Sequence, residues 1–165
     1  MSSNASFDIV SVTNLEEVQN AVHQSMVEIR QRFDFKNSKS DITLDKRANQ
    51  IVLVSDDEAK MKSVIDVLQG KLGRRKVSIN ALQYGKLELA SGGTVRQIVK
   101  IQQGIPQDKG KEIAKFIKGL GAKVQSHIMD NQVRVSGKNK DDLQMVISSL
   151  KEKAFGIDMS FTNYR

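Results

Sequence analysis

The sequence predicts an α+β protein built from two ferredoxin-like (βαββαβ) modules, each a four-stranded antiparallel sheet with two helices on one face. Apolar residues recur at strand-like and helix-like periods in alternation along the 165 residues. The same order of strands and helices occurs in both halves of the chain. From residue 49 onward the halves also align at one fixed offset of 82 residues, which indicates a duplicated module.

In the first half, the apolar pattern predicts four strands and two helices. Leu15, Val18 and Val22 recur at steps of three and four residues, which places them on one face of a helix. The predicted elements are strand 7–12, a helix from 15 to 29, strands 41–45 and 50–54, a helix from 57 to 70 and a closing strand 76–80.

The second half repeats this order. Pro106 suits the first turn of a helix, where a missing N–H group costs nothing. Asp130 and Asn131 predict a tight turn between two strands. The predicted elements are strand 94–102, a helix starting at 106, a hairpin of strands 123–128 and 132–136, a helix carrying 143–150 and a last strand 159–164.

The alignment of the halves sets the predicted module boundaries. Ile51 aligns with Val133 at the offset of 82, whereas the first strands align at an offset of 89, which pairs Ile9 with Ile98. We therefore assign residues 1–82 to the first module, 83–93 to a connecting hairpin arm and 94–165 to the second module. The first strand either pairs within its own module or exchanges into the other sheet, and the repeat pattern leaves both arrangements open.

Composition narrows the class of protein. The chain is 39% hydrophobic and 27% charged and contains no cysteine, which excludes disulfides and thiolate metal sites. It has no run of 18 apolar residues and no signal-peptide pattern at its start. We expect a soluble protein in the cytoplasm, without a membrane partner.

The positive charge is unevenly distributed along the sequence. The net charge is +7; residues 1–82 contain 12 Lys and Arg against 11 Asp and Glu, and residues 83–165 contain 14 against 8. A one-sided basic module attracts polyanions, of which phosphate backbones are the most common. Lysine-rich helix faces that only keep the protein in solution are the alternative interpretation.

The second module's sheet face opposite its helices is the predicted binding surface. Strand alternation gives this face basic groups, amides and hydroxyls but no acid, and Tyr164 is its only aromatic residue. Arg134, on a central strand, is expected to contribute most to phosphate binding. A solvated polar face is the alternative. The predicted nucleotide- or nucleic-acid-binding residues are Arg96, Lys100, Lys123, Gln125, His127, Gln132, Arg134 and Lys138.

Two further basic segments are candidates for phosphate contacts. Arg74, Arg75 and Lys76 lie between a predicted helix and a strand and are included among the predicted binding residues. Phe33 and Phe35 alternate with cations after the first helix, and we interpret them as core anchors under a loop.

Motifs of known enzyme classes are incomplete. Residues 104–112 contain two glycines and a lysine, but the spacing is one residue too long and Glu112 stands where a phosphate-binding loop has Ser or Thr. His23 and His127 are the only histidines and lack metal-site spacing. We predict no enzyme activity, no cofactor and no metal.

Several motifs in order resemble the YajQ family of bacterial proteins. They are Ser6–Ser11 (SFDIVS), Arg32–Asn37 (RFDFKN), Ser91–Gly93 followed by Arg96-Gln97, Gln132–Lys138 (QVRVSGK) and Asn163–Arg165 (NYR). The resemblance covers nearly the whole chain. It implies two ferredoxin-like domains and nucleotide binding, with RNA and cyclic di-GMP as family ligands, and it carries over no catalytic residue. At His127, Met129 and Asp130 the hairpin departs from the family pattern.

Three functional hypotheses follow. The leading one is a non-catalytic nucleotide or nucleic-acid binder, with RNA or tRNA as ligand, that uses the open face of the second module. The first alternative is a signalling adaptor that binds cyclic di-GMP. The second is a protein-interaction module, because Val52 and Val54 make one strand of the first module apolar on both faces and a partner protein or the sibling module would cover it.

Overall fold

The computed structural model describes residues 4–165, which form nine strands and four α-helices within that range. Short 3₁₀ turns occur at Phe33–Phe35, Ile79–Ala81 and Ser91–Gly93. The elements in chain order are β1 (Ala5–Val10), α1 (Leu15–Gln31), β2 (Asp41–Asp45), β3 (Gln50–Ser55), α2 (Glu58–Arg74), β4 (Leu82–Tyr84), β5 (Glu88–Leu89), β6 (Val95–Ile101), α3 (Gln107–Gly119), β7 (Val124–Met129), β8 (Gln132–Gly137), α4 (Lys140–Glu152) and β9 (Ser160–Thr162).

The chain forms two compact units whose boundaries differ from the predicted ranges 1–82 and 94–165. One unit, here called the C-terminal unit, consists of residues 4–12 and 103–165 of the described range. The other, the central unit, consists of residues 13–102. The difference arises because β1 joins the sheet formed by the second half of the chain, while β6 joins the sheet formed by the first half.

The C-terminal unit has an antiparallel sheet with strand order β7-β8-β1-β9. This is the ferredoxin-like order, with β1 in a central position. Phe7 and Ile9 of β1 and Val133 of β8 are fully buried, as is Ile113 of α3. Their side chains belong to one apolar cluster that also includes Leu150 of α4, so α3 and α4 cover one face of the sheet.

The central unit has the same arrangement of four strands, in the order β2-β3-β6-β4, with short β5 also paired to β6. Its core joins β3 and β6, through Ile51 and Val99, to α1 and α2, through Val18 and Leu68. The expected fold class, two ferredoxin-like modules with helices on one sheet face, is therefore confirmed.

Strand pairing corrects the alignment of the two first strands. Ile9 pairs with Val133, and Val99 pairs with Ile51. Ile9 therefore corresponds to Val99, an offset of 90 rather than 89. Because side chains alternate between faces, a slip of one residue places Ile98 on the open face and Val99 in the core. Val99 is fully buried in the structure.

The predicted closing strand 76–80 is wrong. Lys76 has a φ of 61°, which is incompatible with extended backbone. Residues Ile79–Ala81 form a 3₁₀ turn, and Ile79 is largely exposed. The strand in this position is β4, so the segment predicted as a connecting arm begins within the sheet.

Candidate functional site

The predicted binding residues do not share one sheet face. Arg96 and Lys100 lie on β6, and Arg74 ends α2; all belong to the central unit. Lys123, Gln125, His127, Gln132, Arg134 and Lys138 belong to the C-terminal unit. The prediction of a single basic face is therefore wrong, because it assumed that β6 pairs with β8.

One cavity of the C-terminal unit is lined by three of these residues. It has a volume of about 840 Å³ and lies where β7 begins, β8 ends and α4 begins. Lys123 and Lys138 are exposed, and neither forms an ion pair with any residue of the range 4–165. The lining residues with polar groups are Asn4, Lys123, Gln125, Ser136, Lys138, Asn139 and Asp142.

The local sequence explains how this cavity forms. Asn139 caps α4, and its side-chain oxygen accepts the N–H of Asp141 at 2.8 Å. Gly137 lets β7 approach closely, because a Cβ there would lie 3.1 Å from the Lys123 carbonyl oxygen. The N-terminal end of α4, the two lysines and the carboxylate of Asp142 thus border the same space.

On the open face of this sheet, Arg134 is engaged by an acid. Arg134 of β8 lies opposite Asp8 of β1 on one side and His127 of β7 on the other. Arg134 Nε donates to Asp8 Oδ1 at 2.8 Å, and its terminal NH2 group donates to Oδ2 at 3.3 Å. Asn163 Nδ2 also donates to Asp8 Oδ2, at 2.8 Å. Asp8 therefore neutralises the arginine that was predicted to contribute most.

The same contacts shift the ionisation of the pair. The hydrogen bond from Arg134 holds the pKa of Asp8 below its usual value, against the opposing effect of burial, and Asn163 acts in the same direction. The hydrogen bond to Asp8 raises the pKa of Arg134. The expectation that this face carries no acid is wrong, because Asp8 reaches it through β1, which the sequence alignment assigned to the other module.

Tyr164 does not lie on the open face either. Asn163 has a φ of 57°, which interrupts the alternation of side chains after β9. The Tyr164 ring instead packs beside the core residue Phe7, with ring centroids 6.3 Å apart. It lines a second, smaller cavity of the C-terminal unit. The strand periodicity of the sequence does not indicate that Tyr164 lies away from the open face.

Comparison with known proteins assigns the family. The family model described as "Nucleotide-binding protein YajQ-like" matches residues 5–165. The chain belongs to the YajQ-like family. A "Nucleotide-binding protein" of Desulfitobacterium hafniense (strain DSM 10664 / DCB-2) is 58% identical over 165 residues, which is all of both chains. Proteins of the same name from Trichlorobacter lovleyi and Carboxydothermus hydrogenoformans are 58% identical over 160 residues and 53% identical over 165 residues, covering at least 97% of each chain.

In the central unit of this YajQ-family chain, the predicted basic residues occupy less concentrated sites. Arg96 lies opposite Val54 and Glu88, and Lys100 lies opposite Gln50 and Gln83.

The net charge is divided evenly between the two units. The C-terminal unit has 11 Lys and Arg against 8 Asp and Glu, a net +3, and the central unit has 15 against 11, a net +4. The uneven charge of the two sequence halves is therefore not a property of the folded units.

The basic cluster at the end of α2 has a structural explanation. Arg75 forms an ion pair with Glu17 at 3.6 Å, and Lys71 forms one with Glu28 at 3.0 Å. Cations at a helix C-terminus also stabilise the helix dipole. Arg74 lines a groove of about 460 Å³ beside α1, which contains the carboxylate of Glu28. Lys71 of this groove is thus paired with an acid, whereas Lys123 and Lys138 form no ion pair within residues 4–165.

The two phenylalanines after α1 differ in role. Phe35 is buried and lies under the cations of Arg32 and Lys60, each 5.2 Å from its ring centroid. Phe33 is 87% exposed. The interpretation as a core anchor is confirmed for Phe35 and is wrong for Phe33.

Residues 4–165 contain neither a helix suited to crossing a membrane nor a cluster of metal-ligating side chains. Within residues 4–165 no helix combines the length and apolar character needed to cross a membrane. In the same range no group of three His, Cys, Asp or Glu side chains is arranged to hold a metal ion.

Proposed function

We propose that this YajQ-family chain binds single-stranded RNA without catalysing a reaction, and that the cavity at the start of α4 is its phosphate site. The observation that carries the proposal is the convergence of Lys123 and Lys138, from two different strands, on a cavity of about 840 Å³. Neither lysine forms an ion pair within residues 4–165, whereas Arg134 is paired with Asp8. The names of the relatives, which are nucleotide-binding proteins, agree with this ligand class.

The chemistry of the lining suits a nucleotide better than a bare anion. Lys123 and Lys138 supply ammonium groups for phosphate oxygens, and the N-terminal end of α4 adds the positive end of the helix dipole. Gln125 and Ser136 provide amide and hydroxyl groups for a sugar or a base edge. Asp142 accepts hydrogen bonds only, so it favours a ligand that also carries donors, such as ribose hydroxyls.

The glycines of the residue 104–112 segment have packing roles, which supports a binding function without nucleotide hydrolysis. Gly104 has a φ of 84°, and a Cβ there would lie 2.6 Å from that of Asn131. Gly110 is buried on the face of α3 that contacts the sheet, where a Cβ would lie 3.4 Å from Ile128. Lys111 is in the second turn of α3 rather than in a loop before it.

A titration of fluorescently labelled single-stranded RNA tests the proposal. Lys123→Ala and Lys138→Ala should each weaken binding by about tenfold, since each removes a charge-assisted hydrogen bond. Each should also reduce the slope of log affinity against log salt by about 0.7. Lys115→Ala is the matched control, because Lys115 is exposed on α3 and lies outside the cavity.

Parallel titrations with tRNA, mononucleotides and cyclic di-GMP distinguish the ligand classes. RNA affinity that Lys138→Ala reduces no more than Lys115→Ala does contradicts the proposed site. Tight binding of cyclic di-GMP by a protein that binds no RNA contradicts the RNA proposal and favours the signalling-adaptor hypothesis.

A further inference from the structure

We infer that the smaller cavity of the C-terminal unit holds a nucleobase stacked on Tyr164, so that the ligand spans at least two nucleotides. This inference rests on the proposed function, because it names the part of the RNA next to the phosphates held in the larger cavity. The smaller cavity has a volume of about 270 Å³ and is lined by residues of β1, α4 and the segment after β9.

Tyr164 lines this space. The ring packs beside Phe7 at an interplanar angle of 31°, yet 64% of the residue is exposed. An aromatic ring supported on one side by the core and open on the other is a stacking platform, and every base has a π-face to stack on it.

The backbone around Tyr164 is held in place, so the ring is positioned before a ligand arrives. Arg165 N–H donates to the Ser6 carbonyl at 2.9 Å, and Ser6 N–H donates to the Arg165 carbonyl at 3.3 Å. The preceding Asn163 is fixed by its hydrogen bond to Asp8. These contacts extend the pairing between β1 and the chain after β9 past Tyr164, which lowers the ordering cost of binding.

The other lining residues match the parts of a nucleotide. Leu143 and Ile147 are buried side chains of α4 that give the cavity an apolar wall. Gln144 supplies an amide that can pair with a base edge, and Lys140 and Arg165 supply cations for a flanking phosphate.

The two cavities lie on either side of the first turn of α4. Consecutive residues line them: Asn139 lines the larger and Lys140 the smaller, as Asn4 lines the larger and Ala5 the smaller. In the inferred complex, a strand whose phosphate lies between Lys123 and Lys138 places its neighbouring base in the smaller cavity. A mononucleotide occupies only one of the two cavities.

A linear dinucleotide carrying the fluorescent base 2-aminopurine tests the inference, because stacking on an aromatic ring quenches its emission. Wild type should bind and quench the probe. Tyr164→Ala should weaken binding roughly fivefold to a hundredfold and remove the quenching. Tyr164→Phe, which keeps the ring, should retain both. Tyr84→Ala is the control, because Tyr84 is the other tyrosine of the chain and belongs to the central unit.

The outcomes separate the two proposals. A folded Tyr164→Ala protein, verified by its melting temperature, that binds and quenches like wild type contradicts the stacking inference. If Lys138→Ala still loses affinity in that case, the proposed function stands without it. Wild-type protein that binds neither the dinucleotide nor longer RNA contradicts the proposed function, and the stacking inference with it.

Discussion

The two units differ in the residue that follows a central strand and in what that residue contacts. In each unit a central strand leads into a helix through one residue and a capping residue: Asp56 and Asp57 after β3, Lys138 and Asn139 after β8. Asp56 accepts the Ser38 hydroxyl and the Lys39 N–H, the latter at 2.9 Å. The hydrogen bond from Ser38 lowers the pKa of Asp56. In the central unit, the residue at this position thus has its hydrogen-bond partners within the fold, whereas Lys138 borders a cavity.

The open sheet faces of the two units also differ, in the polarity of their central residues. The middle row of the C-terminal sheet contains His127, Arg134, Asp8 and Thr162, with a charged pair at its centre. The matching row of the central sheet contains Thr43, Val52 and Ile98, so its centre is apolar. A shared strand order therefore does not carry a shared surface. We expect ligand binding to follow the residues of one unit rather than the fold that both have.

The largest effect on RNA affinity is expected from a substitution that makes the C-terminal unit resemble the central unit. Lys138→Asp places the residue type of Asp56 at the cavity and replaces an attractive charge with a repulsive one. RNA affinity should fall roughly a hundredfold, about twice the free-energy loss of Lys138→Ala. Lys115→Asp controls for the change in net charge, and an equal loss in both variants would show that only the overall charge matters.

The second prediction concerns the charged pair at the centre of the C-terminal sheet. Asp8 is 3% exposed and is bonded to Arg134 and Asn163. Asp8→Asn should destabilise the protein by about 2 kcal/mol at pH 7, because hydrogen bonds to a charged group are lost. Urea unfolding measures this, with Asp130→Asn in the exposed hairpin turn as the control.

The lowered pKa of Asp8 predicts how its contribution to stability changes with pH. The folded-state pKa of Asp8 is lowered, so its ionised form stabilises the fold at pH values above the ordinary Asp pKa of about 3.9. That stabilisation is lost as the pH falls through the lower folded-state value. The stability difference between wild type and Asp8→Asn should therefore shrink below about pH 4. A difference that stays constant between pH 7 and pH 3 would contradict the ion pair.

Local features of the fold were predictable from the sequence, and pairing between distant segments was not. Apolar periods located α1 to α4 and the β7–β8 hairpin, because these depend on neighbours in the chain. β1 and β6 have similar apolar patterns, so the sequence did not specify which sheet each would join. The exchange moved Asp8 next to Arg134 and removed Arg96 and Lys100 from the predicted face.

The candidate site shows the same limit. Lys123, Gln125 and Lys138, three of the predicted binding residues, line one cavity, since the β7–β8 hairpin brings strand ends together whatever pairs beside it. The role of Asn139 and of the α4 dipole at the cavity was missed, although the Asn-Lys-Asp-Asp sequence of residues 139–142 is a typical helix start. The turn of Tyr164 toward Phe7 depends on a positive φ at Asn163, for which alternation gives no indication.

The smallest effect on RNA affinity is expected for a substitution in the central unit. Lys100 is exposed on β6 opposite two glutamines and lies outside the cavity at α4. Lys100→Ala should change RNA affinity less than twofold at 150 mM salt, where exposed charges are screened beyond about 8 Å. A loss as large as that of Lys138→Ala, in the same titration, would move the phosphate site to the central unit.

The comparison of the two units is tested most directly by amide chemical shifts. A ¹⁵N-labelled sample of the full chain is titrated with short single-stranded RNA, and the perturbed amides are mapped. We expect the largest shifts at Lys123, Gln125, Lys138 and Asn139, with little change at Ser38, Lys39 and Asp56, the matching part of the central unit. Shifts concentrated at those central-unit residues, or spread equally over both units, would contradict the account.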